Sequence, residues 1–365
     1  MQKVNNNKHN EHNEHEKSNL LNKRNVLFMV LFIVIAVMTV FAVMSQSQEF
    51  SMTDFMTYIQ GSSVEWLLMA LLSMLGFIFF EAFALMILCK AFGHKQSLGR
   101  TYIYSASDIY FSAITPSATG GQPASAYFMI KNGMNSMMVT ALLVANLCMY
   151  TLSIIVIGGI CFILRWDMFM QYNLFSQLLI AFGFISQVVM LVFFYLLLKK
   201  DRLLHRICNV VLRFLCKIKL LKKREEKQKK LDEYMAKYRM HSHIITGHKK
   251  SLGFCFLFNF LQRASQIAVT MFVYCAASGE GFIKSIELWF MQGYVTLGSN
   301  SIPIPGAMGV SDYLMIDGFS SMMSEQAAVN LELLSRSFSF YSCVIICGIS
   351  TIYYYFHIRK RGKAK

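Results

Sequence analysis

The sequence is poor in charge. Asp, Glu, Lys and Arg make up 15% of its 365 residues, against about 25% in soluble domains. That excludes an ordinary soluble enzyme, a coiled coil and a disordered chain. Proline is scarcer still, at 4 residues, so long helices are not ruled out by it. The nine cysteines form no Cys-x-x-Cys pair, so neither a zinc site nor a disulfide framework is read from them. Cys343 and Cys347, one helical turn apart, read as packing residues. P-loop, Gly-x-Ser-x-Gly and His-Glu-x-x-His patterns are all missing. No cofactor or metal is therefore expected.

Hydrophobic residues are abundant instead, at 55%, and they fall in long runs. The chain reads as an all-α polytopic membrane protein. Residues 1–25 form a polar tail expected to be disordered. Val26–Met44 is a retained anchor helix rather than a cleaved signal. Five more full spans lie near 64–89, 136–164, 174–198, 251–277 and 335–357. Residues 26–358 form one transmembrane domain, and 359–365 a basic tail.

Two further apolar segments, 102–130 and 286–325, lack a clean span. They hold all four prolines (Pro116, Pro123, Pro303, Pro305), together with Gly120, Gly121, Gly306 and Gly309. Such residues break each segment into two half-helices around a loop. Backbone broken at membrane depth survives only inside protein or along a cavity. The architecture expected is about six full helices plus two broken re-entrant hairpins, with eight full spans as the alternative. Span, broken segment and span occur twice, at 64–164 and 251–357, in opposite directions. This is a candidate inverted repeat of the transporter kind, read from hydropathy without a residue-level repeat.

The net charge of +15 is concentrated. Residues 199–250 carry 17 Lys/Arg against 5 Asp/Glu, whereas 45–63 carry no Lys or Arg. By the positive-inside rule both termini and the 199–250 loop are cytoplasmic. Leu203, Leu204, Ile207, Val210, Val211, Phe214, Leu215 and Ile218 recur there at helical spacing among basic residues. They read as an amphipathic helix on anionic inner-leaflet lipids, or as an extension of the preceding span. No nucleic-acid recognition motif accompanies the charge, so no direct nucleic-acid binding is expected. A homo-oligomer is left open.

The chemistry available is in the broken segments and one span. Pro123 suits the start of a helix, and Gly120 and Gly121 let backbone N–H groups approach a ligand. With Gln122 they form a candidate anion site, or else a tight packing turn. Pro303, Pro305, Gly306 and Gly309 repeat the logic ahead of Asp312 and Asp317. In the 251–277 span, Asn259, Gln262, Arg263, Gln266 and Thr270 form one polar stripe. A mid-span arginine needs a partner, so Arg263 is expected to face the interior and pair with Asp108, Asp312 or Asp317. Its role is charge neutralisation or contact with a phosphate. Glu81 is read as neutralising a polar group or relaying protons, or as interfacial.

The element from Pro116 through Gly120 and Gly121 to Pro123, and the element from Pro303 through Pro305, Gly306 and Gly309 to Asp312, resemble the membrane region of bacterial lysylphosphatidylglycerol synthase. This is the flippase-like domain family, and the resemblance runs from about Val26 onward. It implies a protein of the bacterial cytoplasmic membrane that binds and translocates a polar or aminoacylated phospholipid. The lipid-contacting set it suggests is Asp108, Pro116, Gly120, Gly121, Gln122, Pro123, Asn259, Gln262, Arg263, Gln266, Pro303, Pro305, Gly306, Gly309 and Asp312. The soluble transferase domain of the full synthase is expected to be absent. The alternative is the membrane subunit of a lysyltransferase, with a separate aminoacyltransferase as partner; a scaffold with no transport is a third reading. Many family members carry an acidic residue after the Gly-Gly pair and an arginine three positions on. Gln122 and Ser125 stand there in this chain, and Ala307 and Asp312 depart from the second motif's Gly and Glu.

Overall fold

The structure, a computed structural model, describes residues 52–115, 118–199, 205–207, 209–210, 212–213, 224–278, 282–304, 307 and 309–363. The N-terminal tail, the anchor helix 26–44, most of the amphipathic stretch 203–218, and Pro116, Pro305 and Gly306 lie outside these residues. Among the described residues every regular element is helical. The chain is a polytopic all-α membrane protein.

A short helix, α1 (Met52–Gln60), precedes the long α2 (Val64–Ala91). Then come α3 (Leu98–Ile114) and α4 (Gly121–Lys131), the two arms of the first broken segment, and α5 (Ser136–Leu164). After one helical turn at 166–169, α6 (Leu174–Lys199) follows. The basic loop contains α7 (Arg224–Gly247). The second half consists of α8 (Lys249–Ser278), α9 (Phe282–Ser299), α10 (Val310–Phe319), α11 (Glu325–Arg336), a π-helical turn (Ser337–Ser342) and α12 (Cys343–Lys363).

Among the described residues four helices are long and apolar enough to cross a membrane: Val64–Ala91, Ser136–Leu164, Leu174–Lys199 and the continuous Glu325–Ile358. The polar stripe of α8 keeps it out of that class, although its 30 residues reach about 45 Å. On α6, Phe182, Ile185 and Val189 are exposed. In water such a face would be a liability; against acyl chains it is the expected surface.

Both broken segments are helix–loop–helix hairpins. One expectation needs correction: the last helix begins at Glu325, ten residues earlier than the apolar run suggests. Ser324 caps it through Ala327 N–H, and its polar residues face the protein interior instead of lipid. The π-turn then shifts the helix register, with Ser342 Oγ donating to Ser337 O at 2.6 Å.

The two halves share a pattern that hydropathy alone left vague. Placing Gly120 on Gly309 carries α4 onto α10 and the start of α5 onto the start of α11. The same shift aligns Pro116-Ser-Ala-Thr-Gly120 with Pro305-Gly-Ala-Met-Gly309. Ala118 and Ala307 both adopt φ 52°, a left-handed conformation that costs alanine about 1–2 kcal/mol. The halves run oppositely. Ser63 N–H donates to Ala276 O at 2.8 Å, Ser73 Oγ to Ser265 O at 3.0 Å, and Gln262 Nε2 to Glu81 Oε2 at 3.0 Å. As α2 ascends, its partner numbers on α8 fall, so these equivalent helices are antiparallel. Small residues allow the approach: a Cβ on Gly76 would stand 3.1 Å from Ser265 Oγ.

The basic loop is more than a tether. On α7, Tyr238 is buried and donates its hydroxyl to Leu197 O at 3.2 Å.

Candidate functional site

The tips of both hairpins converge on one cavity of about 600 Å³. Ala118 and Gln122 reach it from the first tip, and Pro303, Ile304, Ala307 and Ser311 from the second. The walls are completed by α2, α3, α5, α6, α8, α9, the π-turn and the adjoining ends of α11 and α12. Its lining is mixed: Phe77, Tyr150 and Phe340 lie beside Gln266, Gln292 and Arg336. A pocket with a few convergent polar groups on apolar walls is the usual form of a ligand site.

One pole of the cavity is acidic. Asp108, on α3, accepts from Gln122 Nε2 at 2.6 Å and from Ser112 Oγ at 3.1 Å. Glu81, on α2, accepts from Gln262 Nε2 and, at 3.1 Å, from Ser105 Oγ. The two carboxyl groups are neighbours at this pole: both line the cavity, and Ser105, which Glu81 bonds, stands one helical turn before Asp108 on α3. Both are buried, and their donors are neutral amides and hydroxyls.

Beside this pole stands Arg263. The expected ion pair is not formed: among the described residues no carboxylate lies within 4.0 Å of its guanidinium. The side chain instead bonds Gln266 Oε1 and lies over the ring of Tyr150, 4.3 Å from its centroid, and 5.6 Å from that of Phe77. Two aromatic rings within cation–π distance hold the cation, and all three side chains line the cavity. Its Nε has no hydrogen-bond partner among the described residues.

Asp312 is absent from this pole because Arg336 has taken it. Arg336 Nε lies 3.0 Å from Asp312 Oδ1 and 3.8 Å from Glu332, and its Nη1 donates to Ser311 Oγ at 2.6 Å. Asp312 also accepts the Gly309 N–H at 2.7 Å, capping α10. This buried cluster locks α10 to α11, and only Ser311 and Arg336 of it reach the cavity. Asp317 is elsewhere again, bonded to Asn173.

Of the remaining residues singled out from sequence, Gln262 and Gln266 line the cavity. Asn259 is buried outside the lining and bonds Asn146 Oδ1 at 3.1 Å. Gly120 is not open to an anion, because its N–H already donates to Thr115 Oγ1 at 2.8 Å. Helix α4 starts at Gly121, so Pro123 is its third residue, where the missing N–H still costs nothing. Gly121 is needed for packing: a Cβ there would overlap the Asp108 and Ser112 side chains and stand 2.6 Å from Asp108 O. Gly121→Ala is expected to push α4 off α3, cost about 1–3 kcal/mol and separate Gln122 from Asp108. Thermal unfolding of the purified protein in detergent measures that loss; an unchanged midpoint would show that the hairpin yields freely.

Sequence reasoning leaves Glu81 open between an interior and an interfacial role, and does not reach Arg336 and Glu332. The signal for Glu81 is its isolation in an otherwise uncharged 24-residue stretch between Glu65 and Lys90. For the other two it is their i, i+4 spacing.

No curated protein matches the sequence. Residues 27–347 match the family described as the lysylphosphatidylglycerol synthase TM region. That match spans most of the chain, both hairpins and every wall of the cavity, and the chain therefore belongs to the family of lysylphosphatidylglycerol synthase transmembrane regions.

Proposed function

We propose that this protein translocates a phospholipid with a polar, amine-bearing headgroup across the cytoplasmic membrane. The observation that carries this reading is the pairing, in one cavity, of a guanidinium free of carboxylate partners with two carboxyl groups held only by neutral donors. Arg263 suits the phosphate, since a guanidinium edge presents donors in the geometry phosphate oxygens accept. Asp108 and Glu81 suit an ammonium group. Gln122 positions Asp108, and Gln262 positions Glu81. Tyr150 and Phe77 keep Arg263 in place between cycles.

The inverted arrangement supplies a path. Two antiparallel halves around one site can open it to either side in turn by rocking. The positive charge of 199–250 supports a cytoplasmic side for α7, where anionic headgroups would suit the basic loop. The acyl chains stay in the bilayer beside α6 while only the headgroup enters the cavity.

The test uses purified protein in liposomes with fluorescent lysylphosphatidylglycerol, phosphatidylglycerol or a neutral lipid in the inner leaflet. Headgroup-selective appearance outside, led by the amine-bearing lipid, supports the reading. Folded protein that moves none of the three would overturn it and favour a membrane subunit serving a separate aminoacyltransferase.

A further inference from the structure

We propose that Glu81 and Asp108 share one exchangeable proton, and that transport trades this proton for one net positive charge on the incoming headgroup. This inference rests on the translocase reading above and adds its coupling ion.

Two buried carboxyl groups at one pole, Glu81 bonded to the serine one turn before Asp108, repel when both are ionised, and their donors, Gln122, Gln262, Ser105 and Ser112, bring no charge to relieve it. A proton held between them removes the repulsion and leaves one negative charge. Arg263, in the same cavity, supplies the single positive charge that balances it. The empty site is then neutral overall.

A second observation marks this pole as a place for a ligand. Gln262 is 2% exposed, lines the cavity, and its Oε1 has no hydrogen-bond partner among the described residues. Gln122 Oε1 is in the same condition. Each amide spends its N–H on a carboxylate and keeps a free acceptor oxygen beside it. Two carboxyl groups and two idle amide oxygens form an acceptor set suited to an ammonium group.

The remaining titratable groups around the pair do not alter the count. Tyr150 lines the cavity from α5 with its hydroxyl on Asn300, Cys343 lines it from α12 with Cys347 one turn on, and Arg336 lines it too, committed to Asp312. From α4, α6 and α9 the cavity receives amides, hydroxyls and apolar groups only.

The charge balance then fixes the stoichiometry. A headgroup with one phosphate and two ammonium groups enters with one net positive charge. If the shared proton leaves, the pair carries two negative charges, and Arg263 and the headgroup carry one positive charge each. The loaded site is again neutral, so both half-cycles cross the membrane without net charge. A headgroup with one phosphate and one ammonium has no net charge to exchange and displaces no proton.

The experiment reads wild-type protein in liposomes under imposed gradients. With lysylphosphatidylglycerol as the probe, a gradient of about one pH unit should shift the final lipid distribution about tenfold, the value for one proton per lipid. A potassium-diffusion potential or a sodium gradient should shift it little. In weakly buffered detergent, binding of the same lipid should release about one proton per lipid, a release lost in Asp108→Asn and Glu81→Gln. Lipid movement that ignores the pH gradient, or that follows the potential or sodium, overturns the exchange and leaves the translocase reading standing. Absence of lipid movement under every gradient overturns both.

Discussion

Arg263→Gln is expected to abolish headgroup-selective movement, lowering its rate about 100-fold or more. Charge-assisted hydrogen bonds contribute about 1.5–3 kcal/mol each, and two such bonds to a phosphate exceed two decades in rate. Arg263→Lys should fall between, down about tenfold. Lysine keeps the charge but lacks the planar guanidinium that lies over Tyr150 and the fork that grips two oxygens. The competing account is that Arg263 only offsets the charge of Glu81 and Asp108. On that account the loss in Arg263→Gln lies in folded yield, and the fraction that folds keeps its rate. If phosphate contact is the role, the folded Arg263→Gln protein is itself inactive. Initial rates in the liposome assay, normalised to monodisperse protein, separate the two outcomes.

How far the sequence foretold this site varies by residue. The helix breaks were legible because proline and glycine act locally: Pro116 to Pro123 and Pro303 to Gly309 interrupt helices whatever surrounds them. The spans of α2, α5 and α6 were legible because length and apolarity suffice. The internal repeat was legible only as a hydropathy pattern, since at residue level little more than Pro-x-Ala-x-Gly survives in both halves; the shared φ of Ala118 and Ala307 adds the rest. The polar stripe on α8 was visible from its spacing, but the partners of Arg263 were not. Spacing shows which face a residue occupies and is silent on what lies opposite. Tyr150 is over a hundred positions away in sequence, and aromatic rings in an apolar run carry no mark of a cation-binding role. Asp312 seemed equally available to Arg263 because its true partner, Arg336, sat in a stretch read as the edge of a span. The early start of α11 is what places Arg336 a few ångströms from Asp312.

That ion pair carries the largest stability effect expected in the molecule. Arg336→Leu should destabilise the protein by about 3–5 kcal/mol, the cost of leaving a buried charge without its partner. Asp312 is 0% exposed and Glu332 1%, so neither carboxylate reaches water when the guanidinium is gone. The loss should spread beyond the pair. Asp312 caps α10 through Gly309 N–H, and Arg336 is the last residue before the π-turn whose Ser339 and Phe340 line the cavity. Releasing it frees the second hairpin from the helix that positions it. Arg336→Gln with Asp312→Asn should recover more than half of the stability, because both charges are removed and asparagine can still accept from Gly309. Thermal unfolding of the single and double variants in one detergent closes the cycle, with a coupling of about 2 kcal/mol or more expected for groups in direct contact. A double variant no more stable than Arg336→Gln alone would mean that the guanidinium acts by packing, through Phe340, whose ring centroid lies 5.1 Å away. The distinction matters for transport. A charge lock can exist in two discrete arrangements, paired and broken, and so can divide an inward-facing from an outward-facing hairpin; a packing contact offers no such second state.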